Sequence, residues 1–301
     1  MTAVRMSGVT KRYGDVTALD GVSVELAENR IHGLLGRNGA GKTTLMQVLT
    51  GQAFETAGTV EVFGEHPYEN ARVLNRVCFI KESQRYPDAF RVKHALRAAE
   101  LLHPNWDPAF ADELMADFAL PANRRIKKLS RGMLSAVGVV IGLASRAPLT
   151  FFDEPYLGLD AVARQLFYDR LLADYSEHPR TVVLSTHLID EVSDLIEHVV
   201  LIDRGRILID EDAGTLRSAA VTVTGPVGAV ESFVAGRTEL HREQLGTFLR
   251  VTVAGPGGSA DGRGLDVEPV TLQQLVVRTT QHSNKANGQP VGAGAGGGEL
   301  R

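Results

Sequence analysis

Apolar residues recur at every second position through the first part of the chain. From residue 2 to 26 polar and apolar residues alternate, with turn signals at Gly14–Asp15 and Asp20–Gly21, which predicts antiparallel strands. Short apolar runs follow. "RIHGLLG" (30–36) reads as a strand ending in glycine, and "KTTLMQVLTG" (42–51) as a helix stopped by Gly51. Residues 58–64 and 76–80 read as two more strands. From about 90 to 145 the spacing turns helical, in "VKHALRAAELL" and in "DPAFADELMADFAL" with its acidic first turn. Residues 149–153, 181–186 and 197–203 are again short apolar strands, with helices between them. Such alternation predicts an α/β fold: a mostly parallel sheet with helices on both faces.

After about residue 217 the pattern weakens. "AAVTVTG" and "FLRVTVAG" read as strands, and "VEPVTLQQLVVRTT" as a strand followed by a helix. The chain therefore divides into a main domain over 1–217, a small α+β appendage over 218–282, and a Gly/Ala-rich tail over 283–301 that lacks core-forming residues and is expected to be disordered.

Composition narrows the classes. Of 301 residues 44% are hydrophobic and 23% charged, as in a globular protein with a real core. Lys and Arg number 32 against 36 Asp and Glu, so no basic excess points to nucleic acid. The cluster Arg124, Arg125, Lys127, Lys128 reads as a solvated face. Cys78 is the sole cysteine and lies in an apolar run, so it reads as a buried, inert thiol. The first residues lack the apolar stretch of a signal peptide, and the longest apolar segment, Ala136 to Ala144, is too short to cross a bilayer. The expectation is a soluble chain whose membrane role, if any, comes through a partner.

Two motifs carry chemistry. "GRNGAGKT", Gly36 to Thr43, matches G-x-x-x-x-G-K-[ST] at every fixed position, after a predicted strand and at the start of a predicted helix. Gly36, Arg37, Asn38, Gly39, Ala40 and Gly41 can curl so that backbone N–H groups face phosphate oxygens, aided by the helix N-terminus. Lys42 would reach the β- and γ-phosphates and the Thr43 hydroxyl would ligate Mg²⁺, with Thr44 beside it. This makes the core a P-loop NTPase. "LTFFDEP" ends an apolar strand in Asp153, a second Mg²⁺ group, followed by Glu154, a carboxylate placed to polarise an attacking water.

Over about residues 1–215 the chain resembles the ATP-binding subunits of ABC transporters. The resemblance implies a helical subdomain inserted at about 85–145 and an N-terminal antiparallel β subdomain. "STHLIDE" (185–191) resembles the family's switch region, and His187 there would contact the γ-phosphate and help orient the water. The other histidines (32, 66, 94, 103, 178, 198, 241, 282) read as structural. "GLD" (158–160) resembles the dimer-contact loop, with Asp160 as its acid, and Tyr13 matches the aromatic that stacks on adenine. Leu129-Ser130-Arg131-Gly132-Met133 resembles the signature, usually Leu-Ser-Gly-Gly-Gln, which in the family faces the γ-phosphate held by a second subunit. Ser130 starts a helix and Gly132 permits close approach, while Arg131 and Met133 depart from the pattern.

A further departure falls near position 82, where the family has a Gln that touches Mg²⁺ and links nucleotide to permease. Here Glu82 takes the expected place and Gln84 comes two later; either could serve. Residues 101–120 and the appendage resemble drug- and antibiotic-exporter ATPases of the ABC-2 type. The resemblance implies ATP and Mg²⁺ as cofactors and a second ATPase subunit, identical or related, packed head to tail. It also implies a separately encoded transmembrane permease, with the chain peripheral on the cytoplasmic face of the membrane. The alternatives are a non-transport ABC ATPase and a regulatory module that binds nucleotide without hydrolysing it.

Overall fold

A computed structural model of the chain describes residues 1–82, 84–255 and 264–276. The expectation for 283–301 lies outside these residues. The chain forms two compact units, Met1–Asp212 and a second beginning at Ala213.

In the first unit, β1 (Thr2–Tyr13) and β2 (Val16–Ala27) make the expected hairpin. The turn expected at Asp20–Gly21 is instead a bulge. Gly21 has φ 63, and Val9 pairs with Val22 while Lys11 pairs with Leu19, so β2 carries an extra residue and continues. A third strand, β4 (Ala57–Val62), pairs with the free edge of β1, giving the antiparallel order β2-β1-β4.

The second sheet contains β3 (Ile31–Leu35), β5 (Val77–Ile80), β6 (Leu149–Asp153), β7 (Thr181–Thr186), β8 (His198–Asp203) and β9 (Arg206–Asp212), in the order β5-β6-β7-β3-β8-β9. Five strands are parallel, and β9 closes the edge antiparallel to β8. β3, β6 and β7 are buried at every position, which is why they read as unbroken apolar runs rather than as alternation. α1 (Lys42–Leu49) lies between the sheets, and Met6, Leu19, Met46, Leu49, Phe151 and Ile202 share one core.

The remaining helices of this unit are α2 (Ala71–Leu74), α3 (Val92–Leu102), α4 (Pro108–Asp117), α5 (Arg131–Ala144), α6 (Ala161–Glu177) and α7 (Ile189–Val192). Asp107 caps α4 by accepting from Phe110 N–H at 2.9 Å, and Pro108 occupies its first position, where a missing N–H costs nothing. The apolar stretch Ala136–Ala144 is the buried end of α5. Among the described residues no helix is long and apolar enough to cross a membrane.

The second unit starts with α8 (Ala213–Ser218), so the expected boundary after 217 falls at the end of that helix. Four strands, β10 (Ala220–Pro226), β11 (Glu239–Leu245), β12 (Phe248–Ala254) and β13 (Asp266–Pro269), form an antiparallel sheet ordered β11-β12-β10-β13. α9 (Val227–Val234) buries Val230 and Phe233 against Val223, Val251 and Val253. Residues 272–276 are helical, following β13 as expected.

Candidate nucleotide site

Strand register assembles the site. β6 and β7 pair in parallel with Asp153 opposite Ser185, and β7 pairs with β3 with Thr186 opposite Leu35. Three chain segments therefore leave the sheet at the same edge: the loop after Leu35, Glu154 after β6, and His187 after β7. The C-terminal edge of a parallel sheet is where α/β proteins bind ligands.

Gly41 closes the loop and precedes α1 in the left-handed region, at φ 115, and a Cβ there would lie 2.8 Å from the Ala18 carbonyl. No side chain caps α1, so its first N–H groups are left for an anion. Lys42 is buried and turns back under its own loop. Its Nζ donates to the carbonyls of Gly36 (2.8 Å) and Arg37 (3.3 Å) and stands 3.3 Å from Glu154 Oε1. The Thr43 hydroxyl donates to Asp153 Oδ2 at 2.7 Å. Burial raises the Asp153 carboxyl above the ordinary carboxylate range, and the Thr43 hydroxyl pulls it partway back.

A cavity of about 780 Å³ opens over these groups. Asn38, Gly39, Ala40, Gly41, Lys42, Thr43 and Thr44 line it, with Asp153, Glu154 and His187 from the sheet edge and Glu82 and Arg131 from elsewhere in the unit. Arg37 lines an adjoining hollow that also reaches His187. The loop, the buried lysine and the hydroxyl–carboxylate pair converge on one volume large enough for a nucleotide triphosphate. Thr43 and Asp153 supply the hard oxygen donors that suit Mg²⁺, which keeps most of its shell for water and phosphate.

Ser130 caps α5, its Oγ accepting from Met133 N–H at 3.2 Å, and Asp160 caps α6, accepting from Ala163 N–H at 2.8 Å. Neither lines the cavity of this single chain, nor does Gly132. Gly132 has a reason inside the chain: a Cβ there would meet the Gly158 carbonyl at 2.5 Å, so the glycine lets the start of α5 lie on the loop after Glu154. Tyr13 is half-exposed under Lys11, whose Nζ is 4.7 Å from the ring centroid. It pairs with Val16, which lines the cavity, while Tyr13 itself does not. Glu82 lines the cavity and Gln84 does not; the Gln84 Oε1 accepts from Lys81 N–H at 3.4 Å.

Two relationships are not visible in the sequence. Arg131 donates to Glu82 at 3.0 Å, so the two departures from the family pattern are partners across 49 residues of sequence. Tyr156 is buried beside both Glu154 and His187. The available signal is a hydroxyl-bearing aromatic two residues after Glu154, in the turn that follows an apolar strand.

Fold and site define a P-loop nucleotide-binding protein with an acidic strand end and a histidine beside it. A family model described as ABC transporter matches residues 19–157. The chain is 31% identical over 223 residues to the daunorubicin resistance ATP-binding protein DrrA3 of Streptomyces coeruleorubidus, covering 72% of this chain and 70% of that one. It is 31% identical to the Nod factor export ATP-binding protein I of Cupriavidus metallidurans, covering 83% and 88%. The dimeric structure of a bacterial ABC transporter cassette superposes with a TM-score of 0.62 at 20% identity, over 70% of this chain and 98% of that one. The chain belongs to the ABC transporter family, as an ATP-binding, ATP-hydrolysing subunit.

Proposed function

We propose that the chain drives export of a drug-like, antibiotic-like or lipid-like compound through a separate transmembrane permease, seated on the cytoplasmic face of the membrane. Two ATPase subunits, identical or related, would close head to tail around two ATP molecules. The observation that carries this reading is the convergence of Lys42, Thr43, Asp153, Glu154 and His187 on one cavity. The name of the Nod factor export protein supports export as the direction, and the daunorubicin resistance in the name of DrrA3 supports a drug-like compound.

Within the site each group has one task. Lys42 exchanges its carbonyls and Glu154 for the β- and γ-phosphates. Thr43 and Asp153 would hold Mg²⁺, which would supply positive charge to stabilise the triphosphate as it reacts. Glu154 accepts a proton from the attacking water, and His187 steadies the γ-phosphate. Glu82, rather than Gln84, serves as the coupling-loop group, because it faces the cavity, where it pairs with Arg131. Ser130 and Gly132 act on the phosphate held by the other subunit, which fits their position outside this chain's own cavity. Tyr13 offers its exposed ring to adenine and Asp160 lies at the subunit contact.

The test is purification of the tagged chain from detergent-solubilised membranes. A co-purifying multi-span protein that stimulates its ATPase supports the reading. Recovery with ribosomes or DNA, and no such protein, would overturn it.

A further inference from the structure

The catalytic carboxylate carries a geometric oddity. Glu154 has φ 48, the left-handed region, which costs a residue with a Cβ energy and persists only where its surroundings hold it. Its N–H donates to the Ser185 carbonyl at 3.2 Å, which fixes the backbone. The side chain is held by other means.

Tyr156 lies 2% exposed against that side chain. Its phenolic oxygen accepts from the His187 N–H at 3.2 Å and from the Thr186 hydroxyl at 3.1 Å. Those two donors fill its lone pairs and leave its one proton to give. Two acceptors stand within reach, Glu154 Oε2 at 3.3 Å and His187 Nδ1 at 3.0 Å. Glu154 Oε2 is also 2.8 Å from that Nδ1. An ionised carboxylate only accepts, so Nδ1 must carry the proton of this short contact, and the tyrosine proton goes to Glu154. Burial pushes the Tyr156 hydroxyl up to about 12, so it stays a donor at any working pH.

Glu154 is thus held asymmetrically. Oε2 takes two fixed donors, Tyr156 and His187, whereas Oε1 has Lys42 at 3.3 Å. Lys42 is the group that phosphate would draw away, so nucleotide frees Oε1 and leaves Oε2 pinned.

We propose that Tyr156 is a positioning residue for ATP hydrolysis: its hydroxyl locks one carboxylate oxygen of Glu154, and the ring of His187 with it, so that the other oxygen faces the attacking water. This rests on the reading of Glu154 as the group that polarises the water. Tyr156 touches neither nucleotide nor water; it acts through its two neighbours.

The test is Tyr156→Phe in the full chain, which keeps the buried ring and removes the hydroxyl. Misplaced reacting groups cost on the order of ten- to a hundredfold in rate, so kcat falls by about that factor. Affinity for a non-hydrolysable ATP analogue stays close to the parent, and the melting temperature falls only by the few degrees that losing one buried hydroxyl costs. In a His187→Ala background the same substitution costs far less, because the two residues hold one oxygen together. A parent-like kcat for Tyr156→Phe, or losses that simply multiply with His187→Ala, overturns the proposal. So does a variant recovered only as aggregate, or one whose analogue affinity falls as far as kcat, since either assigns the hydroxyl to folding. Glu154→Gln, measured alongside, separates the two levels. If it turns over ATP at the parent rate, the reading of Glu154 fails and the proposal with it. If it is inactive while Tyr156→Phe is not, the proposal alone fails.

Discussion

Lys42→Ala tests the phosphate-loop assignment in two observables at once. The amine bonds the Gly36 and Arg37 carbonyls and stands 3.3 Å from the buried Glu154. Truncation leaves that carboxylate without its cation. Breaking a buried ion pair costs about 3–5 kcal/mol, and here Tyr156 and His187 still serve the other oxygen, so the lower end applies. At roughly 2–4 °C per kcal/mol for a unit of this size, the melting temperature falls by about 6–12 °C. ATP affinity also drops, by less than the full phosphate contact, because the wild-type lysine must give up its internal partners to bind. A net loss worth one charge-assisted hydrogen bond, about 1.5–3 kcal/mol, weakens Kd roughly 10- to 150-fold. Thermal unfolding of the nucleotide-free protein and calorimetric titration with ATP read the two effects. An unchanged Kd refutes the assignment, and an unchanged melting temperature refutes the internal lysine–glutamate pair.

Arg131→Gly frees Glu82 and restores the commoner family residue. The pair is largely exposed, and such pairs are worth about 0–1 kcal/mol, so the melting temperature hardly moves and hydrolysis persists; loss of activity would show that Arg131 is required. His32 is buried with its Nε2 on the Ala27 carbonyl and its Nδ1 3.1 Å from His198 Nδ1, and burial lowers its pKa to about 4. Its folded value lies below the unfolded 6.5, so the unfolded chain binds the proton first and stability falls as pH drops from about 6.5 to 4. The gap amounts to roughly 3 kcal/mol at 1.36 kcal/mol per pH unit. Urea titrations across that range should show the slope in the parent and a smaller one in His32→Gln; equal slopes would place the acid sensitivity elsewhere.

The phosphate loop was legible because its chemistry fixes residue types at fixed spacing over eight positions, Gly36 to Thr43. The strand ending in Asp153, with Glu154 just after it, was legible because a fully buried parallel strand leaves an unbroken apolar run with a sharp polar end. What depended on long-range pairing was not. Nothing local says that β4 joins the free edge of β1, or that Arg206–Asp212 closes the main sheet antiparallel to β8. The Asp20–Gly21 pair carries the same signal for a turn as for a bulge, and only the partner strand decides. Tyr156 acquires meaning once β7 lies beside β6 and brings His187 to within 3.0 Å of its hydroxyl. Arg131 and Glu82 each looked like a defect in a motif until the fold placed them together.

The central claim is an ATPase site shared between two subunits. It is tested most directly by mixing two defective proteins, Ser130→Arg and Lys42→Ala. Ser130 caps α5 outside this chain's own cavity, so on the proposed reading the arginine leaves the chain folded and able to bind ATP but fills the space that the opposing γ-phosphate would take. In a head-to-tail dimer of the two variants, one composite site has an intact loop and an intact signature, and the other carries both lesions. The account predicts little ATPase activity from either protein alone and partial recovery on mixing. Parent-rate hydrolysis by Ser130→Arg alone, at concentrations where it stays monomeric, would contradict it.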